Sequence, residues 1–371
     1  MRIALLVDAF RSLGGIEEIV DYLAVEFIRS GHQAIVISTP NFEPGCERTP
    51  RTTAECVYVE IPSRKAVSLR HLERLVKQPE ATALIDHLRR WRPDIVNTHI
   101  WQWDKFATVA DACRAAGIPF VQSFDTDEWG RGKLGLKPLR ALDRAADITV
   151  LSEAVKRNLA MVTGAISSAH VIIGGVDCES AAAAPPYRRD RAYVFAAARL
   201  DLRHKAIDVL IDAFAAVAGD FPQFDLLIAG DGPDRAKLVA QIEYAGLGSR
   251  VEMLGALAHS DLWTLYKGAT VFAMPSRSGE AMGLIFLEAM ACGIPVIATR
   301  SGGIPEIMPD GRAGLLIDHA EQGELARAIG RLLDDPALAS RMGRTGRELA
   351  AAKYSWTAIA QRFLEVYRAC L

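Results

Sequence analysis

A rhythm in the sequence constrains this chain most. Short runs of β-branched and other apolar residues recur, with longer amphipathic stretches between them. In the first half the runs are Ile3–Val7, Ala34–Ser38, Cys56–Ile61, Ile95–Thr98, Phe120–Ser123, Ile148–Leu151 and Val171–Ile173. Helical patterns such as Glu17–Arg29, Ala81–Arg90 and Thr108–Ala116 lie between them. The runs lack polar residues at alternate positions, as strands covered on both faces require. Strands separated by helices are expected to pair in parallel, since a parallel return needs a crossover of a dozen or more residues.

Near the middle the rhythm stops. Residues Cys178 to Arg191 are rich in Ala, Pro, Arg and Asp, and the tandem Pro185–Pro186 can continue neither a helix nor a sheet ladder. The pattern then restarts. Strands are expected at Tyr193–Ala197, Asp225–Ala229, Val251–Met253, Val271–Ala273, Val296–Ala298 and Leu315–Ile317. Helices are expected at Ile207–Ala218, Asp234–Ala245, Asp261–Lys267 and Leu284–Ala291. With 371 residues, half of them hydrophobic, the chain has material for two cores. The expected class is α/β, with two doubly wound parallel-sheet, Rossmann-like domains. Their boundaries are read as 1–178 and 192–355 around a linker at 179–191, with a last helix at about 356–371 packing back on the first. Ligands of such sheets bind at the carboxyl ends of the strands, here in a cleft where the two sheets face each other.

Charge narrows the partners. The chain has 43 basic and 45 acidic residues, a net of −2, which disfavours a polyphosphate backbone and hence nucleic acid. Six cysteines are scattered without a CxxC or a metal spacing and read as reduced thiols of a cytoplasmic protein. The opening residues read as a strand and not as a leader, and no apolar run reaches the ~18 residues of a membrane span.

The loops after the strands carry the chemistry in this fold class. Gly14-Gly15, before the first helix, is either an ordinary turn or a place where backbone N–H groups meet an anion. It is not GxGxxG, and Ser38 ends the second strand where a dinucleotide site needs an acid. His99, with Trp101 and Trp103 beyond it, is either a ligand donor flanked by apolar walls or a buried core residue. Asp125 and Asp127 are spaced to hold a divalent cation or to form a solvated acidic loop. Arg199 and Lys205 lie between a strand end and a helix start. They suit a diphosphate, or else form a solvated basic loop. The richest segment is Pro275 to Met290. There Glu280 precedes a helix opening near Met282–Gly283, and Glu288 lies within it. Carboxylates accept several hydrogen bonds from sugar or ribose hydroxyls, and the free N–H groups of a helix start favour phosphate. A charge buried among Leu-Ile-Phe-Leu and Ala-Met-Ala is costly without a task.

Taken together, these segments resemble the group 1, family 4 retaining glycosyltransferases of GT-B architecture. The resemblance is most specific from Arg199 to Glu306. It rests on the Arg199–Lys205 loop, Asp225-Leu226-Leu227-Ile228-Ala229-Gly230-Asp231-Gly232-Pro233, Val251–Gly255, Glu280 with Glu288, and Ser301-Gly302-Gly303-Ile304-Pro305-Glu306. Gly14-Gly15, the His99 loop, Leu151-Ser152, Gly174-Gly175-Val176-Asp177 and Tyr354-Ser355-Trp356 fall in the family's order.

The resemblance implies a nucleotide-sugar donor of UDP or GDP type and transfer of a hexose with retained configuration, with no metal and no other cofactor. Arg199 and Lys205 would neutralise the diphosphate. Glu280 would bind sugar hydroxyls beside the N–H groups of Met282, Gly283 and Leu284, and Glu288 would hold the ribose. Leu257 would flank the base, Gly15 would approach the phosphate, and His99 would touch the sugar near its reacting carbon. Ala206 stands where the family usually has Gly, Glu280-Ala281-Met282-Gly283 replaces Glu-Gly-Phe-Gly, and Gly174-Gly175 replaces Asn-Gly.

The acidic loop from Asp125 to Trp129 has no family counterpart and is expected to shape the acceptor site with Trp101 and Trp103. The acceptor would be a sugar, a lipid-linked species or a small molecule. Basic stretches at Arg64–Lys77 and Arg131–Arg144 would let a cytoplasmic protein touch the inner membrane face, or are solvated helix faces. A same-fold epimerase or phosphorylase and a non-catalytic sugar-nucleotide binder are the competing readings. The product separates them.

Overall fold

The computed structural model describes residues 1–8, 15–39, 51–59, 79–100, 102–125, 142–163, 168–277 and 280–371. Gly14, Trp101, Asp127, the stretch Arg64–Lys77 and residues 131–140 of the second basic stretch lie outside the described residues. The chain forms two compact units, one of Met1–Gly174 with Trp356–Leu371 and one of Gly175–Ser355.

The first unit contains β1 (Arg2–Val7), α1 (Gly15–Arg29), β2 (Gln33–Ser38), β3 (Glu55–Tyr58), α2 (Pro79–Trp91) and β4 (Ile95–Thr98). It continues with α3 (Trp103–Ala116), β5 (Phe120–Phe124), β6 (Asp147–Val150), α4 (Glu153–Thr163) and β7 (His170–Val171). The strands pair in parallel in the order β3-β2-β1-β4-β5-β6-β7. Ile3, Ala4, Leu5 and Leu6 of the central strand are wholly buried, which is why that run has no alternation. Helix α1 opens on Glu17 and Glu18 and closes on Arg29, matching its dipole. Helix α3 ends at Gly117, whose φ of 70° is the left-handed cap that stops a helix. Trp103 opens α3 instead of lying in the loop before it.

The second unit repeats the plan. It contains α5 (Cys178–Ala183), β8 (Ala192–Ala197), α6 (Ile207–Val217), β9 (Phe224–Ala229), α7 (Arg235–Tyr244), β10 (Val251–Gly255) and α8 (His259–Gly268). After these come β11 (Val271–Met274), α9 (Leu284–Ala291), β12 (Val296–Thr299), α10 (Ile304–Ile307), β13 (Gly314–Ile317), α11 (Gln322–Asp334) and α12 (Pro336–Leu349). Its parallel order is β10-β9-β8-β11-β12-β13. No described helix is long and apolar enough to cross a membrane.

The stretch expected as a linker differs. Asp177 caps α5 by accepting from the Ser180 N–H at 2.8 Å, and the alanines that follow favour a helix until Pro185. Beyond it, Arg189 and Arg191 bond the buried Asp225 at 2.9 and 3.3 Å, which ties residues 184–191 to the amino edge of the second sheet.

The last helix, α13 (Trp356–Cys370), belongs to the first unit. It buries Trp356, Ile359, Ala360, Phe363, Leu364 and Tyr367, spaced as one helical stripe. Trp356 stacks on Tyr22 of α1 with ring centroids 4.8 Å apart and planes 11° from parallel. Thr357 donates to Glu26 at 2.9 Å. Trp356→Ala is therefore expected to destabilise the first unit by about 3–5 kcal/mol in urea unfolding, the usual cost of emptying a buried aromatic site. A loss below about 1 kcal/mol would show that the helix is not part of that core.

Candidate functional site

In each sheet the strand order reverses once, between β1 and β4 and between β8 and β11. Loops leaving neighbouring strands on opposite faces open a crevice at their carboxyl ends. In the second unit that point holds the loops carrying Arg199, Lys205 and Glu280.

The loop after β8 is shaped by backbone and carboxylates. Gly230 has φ +124°, and a Cβ there would lie 1.8 Å from the Ala198 carbonyl, so only glycine lets the turn after β9 press against it. Asp201 accepts from Arg203 at 2.6 and 2.9 Å, and its backbone oxygen accepts from the Lys205 N–H at 2.9 Å. The Arg203 guanidinium holds the Asp201 carboxyl well below the usual range. Asp234 receives the Leu202 N–H at 2.9 Å. Arg199 extends exposed from this loop, whereas the Lys205 side chain is only 19% exposed.

The segment after β11 is joined to that loop. Lys205 bridges Ser276, Ala206 N–H donates to Pro275 at 3.0 Å, and Arg277 N–H donates to His204 at 2.8 Å. The Arg277 guanidinium grips both Asp208 oxygens at 2.8 and 2.5 Å and the Leu202 carbonyl at 3.0 Å. The Lys205 ammonium forms an ion pair with Glu280 Oε1, to which Ser276 Oγ also donates at 2.9 Å. From below, Gly303 N–H donates to the Glu280 carbonyl at 2.9 Å, and a Cβ on Gly302 would lie 1.9 Å from that oxygen. The glycine-rich turn after β12 is thus the seat on which Glu280 rests.

Met282 is buried, and Gly283, with φ 80°, precedes Leu284 at the start of α9. Further along, Glu288 is 8% exposed. Its Oε1 lies 2.9 Å from His259 Nε2, while Oε2 is buried with no hydrogen-bond partner among the described residues. Burial first, and then the Glu288 charge, push the Tyr266 phenol well above its ordinary value. Leu257, half-buried, lies two residues before His259. The structure therefore brings Lys205 and Glu280 into contact and gives Glu288 a histidine partner. His259, Ser276, Arg277 and Asp201 escaped the sequence reading. Ser276 and Arg277 stood in the singled-out segment, but nothing local marks His259, which lies 29 residues from Glu288.

In the first unit, Asp8 after β1 pairs with Lys105 at 2.7 Å and accepts from Thr39 at 2.6 Å. Gly15 opens α1 and is exposed. His99 was expected to reach a sugar, but its side chain is 0% exposed and both ring nitrogens are engaged. Nδ1 lies 2.7 Å from Asp125 Oδ2 and Nε2 lies 3.0 Å from Asn97 Oδ1. Asp125, expected at an acceptor or cation site, is thereby the hydrogen-bond partner of His99. Arg144 of the second basic stretch pairs with Asp111 at 2.6 Å.

Comparison with known proteins agrees with this layout. Residues 179–349 match the family model described as glycosyl transferases group 1, and residues 13–180 match that of glycosyltransferase family 4. A GDP-mannose-dependent alpha-(1-6)-phosphatidylinositol monomannoside mannosyltransferase of Mycolicibacterium smegmatis is 31% identical over 254 residues, 64% of this chain and 66% of the relative. The alpha-D-kanosaminyltransferase of Streptomyces kanamyceticus is 32% identical over 179 residues, 48% of this chain and 46% of the relative. The matches thus span 66% of the first relative's length and under half of the second's. Among solved structures, HepE of Anabaena in complex with UDP has a TM-score of 0.80 at 21% identity, covering 100% of both chains. Sucrose-phosphate synthase from Thermosynechococcus elongatus has a TM-score of 0.77 at 23% identity, covering 99% of this chain and 98% of that one. Both likenesses concern the fold. With its two halves matched by adjoining models and each folded as a parallel-sheet unit, the chain belongs to the group 1, family 4 glycosyltransferases of GT-B fold.

Proposed function

We propose that the protein is a retaining glycosyltransferase that moves a hexose from a nucleoside-diphosphate sugar to an acceptor hydroxyl without a metal ion. The observation that supports this most is the Lys205–Glu280 ion pair at the reversal of the second sheet. A cation beside a carboxylate, both about four-fifths buried, suits a molecule that is a diphosphate at one end and hydroxyls at the other. The donor exchanges one internal pair for two external ones: phosphate on the Lys205 ammonium and sugar hydroxyls on the Glu280 carboxylate. Arg199 adds a second cation. The N–H groups of Met282, Gly283 and Leu284 face the same ligand, and Glu288 takes the ribose hydroxyls. Leu257 lies against the base.

In the reaction, the bond between the sugar's anomeric carbon and the phosphate oxygen breaks. The acceptor oxygen bonds that carbon from the same face, and its proton passes to the departing phosphate. Negative charge grows on the diphosphate as this happens, so fixed cations at Arg199 and Lys205 lower the barrier more than they tighten ground-state binding. GDP-mannose is the first donor to try and an inositol lipid the first acceptor, given what the mycobacterial relatives are named for. A lipid acceptor would bring the protein to a membrane surface from the cytoplasm.

The deciding experiment incubates the full chain with GDP-, UDP- and ADP-sugars and phosphatidylinositol vesicles, then identifies the product. Sugar joined to the acceptor with its anomeric configuration kept is the expected result. A free isomer, a sugar phosphate or binding without turnover contradicts it. Lys205→Ala and Glu280→Ala are each expected to lower kcat by about 10²-fold or more with circular dichroism unchanged. Gly302→Ala, whose Cβ would collide with the Glu280 carbonyl, should lower kcat though it touches no ligand. Full activity in any of the three would remove these residues from the site. EDTA is expected to leave the rate unchanged, and a loss restored by a divalent cation would assign the electrostatic work to a metal.

A further inference from the structure

A buried polar chain runs through the carboxyl ends of β4 and β5. Its first fixed point is the Asn97 amide. Asn97 Nδ2 lies 3.2 Å from the Val121 carbonyl and 2.9 Å from Ser123 Oγ. A carbonyl only accepts, so the amide nitrogen must face it, and Oδ1 must face the other way. There Oδ1 accepts from the Tyr367 hydroxyl at 2.6 Å and meets His99 Nε2 at 3.0 Å. Burial first, then the Asp125 charge and Cys370, push the Tyr367 phenol well above its ordinary value, so it remains a donor.

An amide oxygen cannot donate, so Nε2 carries a proton. Nδ1 faces an Asp125 carboxyl oxygen at 2.7 Å, and a second proton must lie between them. Side-chain exposures of 0% for His99 and 4% for Asp125 make this a buried polar pair, which is costly unless every valence is used. His99 has none left for a ligand. Asp125 has one, because nothing among the described residues bonds its Oδ1.

We propose that Asp125 is the substrate-facing group of the first unit, holding a hydroxyl of the sugar or polyol acceptor through Oδ1, and that His99, Asn97 and Tyr367 are positioning residues behind it. The substrate role rests on the transferase reading above. Tyr367 lies 270 residues from Asn97 and arrives on the last helix, so the return of the chain to the first unit completes the array. A carboxyl group locked by a buried histidine is oriented in advance and loses little freedom when a hydroxyl binds it.

The test uses the full chain labelled with ring-15N histidine at pH 7, with His99→Gln identifying the resonance. A proton on Nε2 is expected for His99, and Tyr367→Phe, which removes the other donor to Asn97 Oδ1, should move that resonance. An Nε2 without a proton in the unaltered protein, or an unmoved resonance in Tyr367→Phe, overturns the positioning chain. In turnover with GDP-mannose and phosphatidylinositol vesicles, Asp125→Asn and Tyr367→Phe should raise the acceptor KM by about tenfold with the donor KM unchanged, the scale of one hydrogen bond to a charged group. A lower melting temperature with both KM values intact would make the chain structural only and overturn the substrate role. If no donor yields product, the transferase reading falls and the substrate role with it, while the spectrum still decides the positioning chain.

Discussion

Lys205 and Glu280 are 75 residues apart, and their ion pair is the contact around which the second unit is arranged. Neither side chain is sealed, so the pair is no large source of stability; solvent screening keeps such contacts small. It matters because two charges of opposite sign are held at one place, each with its backbone fixed. The Lys205 backbone is bridged to Ser276, and the Glu280 backbone rests on Gly302 and Gly303. A ligand that separates the charges finds both already aimed, and little ordering remains to oppose binding.

This arrangement follows from the reversal of strand order. Because β8 and β11 are neighbours although many residues separate them, the loop after each arrives at the same end of the sheet. Arg277 strengthens the join by holding Asp208 and the Leu202 carbonyl from the other loop. At Gly230 and Gly302 the backbone approaches a carbonyl so closely that no Cβ fits, which explains the glycines flanking both loops. The first sheet reverses likewise between β1 and β4, and its polar residues Asp8, Asn97 and His99 cluster at strand ends near that reversal.

Much of this was readable in the chain. The apolar runs located the strands to within a residue or two in most cases, since strands covered on both faces tolerate few polar side chains. Segments next to a strand end, such as Arg199–Lys205 and Pro275–Glu288, announced themselves by chemistry that a core would not accept. Partners distant in sequence stayed hidden. Neither His259 beside Glu288 nor Tyr367 beside Asn97 follows from any local pattern, because both pairings depend on how crossovers bring elements together. Two places were less clear. Residues 178–183 fell in the stretch read as a linker although Asp177 and the alanines favour a helix, and local reading left His99 open between a ligand donor and a buried residue, whose two nitrogens the fold engages.

The central claim is that the Lys205–Glu280 locus, with Arg199 beside it, is a binding site for the diphosphate of an activated sugar. Isothermal titration of GDP, UDP and inorganic pyrophosphate into the protein and into its Arg199→Ala/Lys205→Ala double variant tests it without requiring the acceptor. The account predicts that at least one nucleoside diphosphate binds the unaltered protein and that the double variant loses about 100-fold or more in affinity, as expected when charged partners are removed from a partly buried anion. Equal affinity in the two proteins, or no binding of any of the three to the unaltered one, would contradict it.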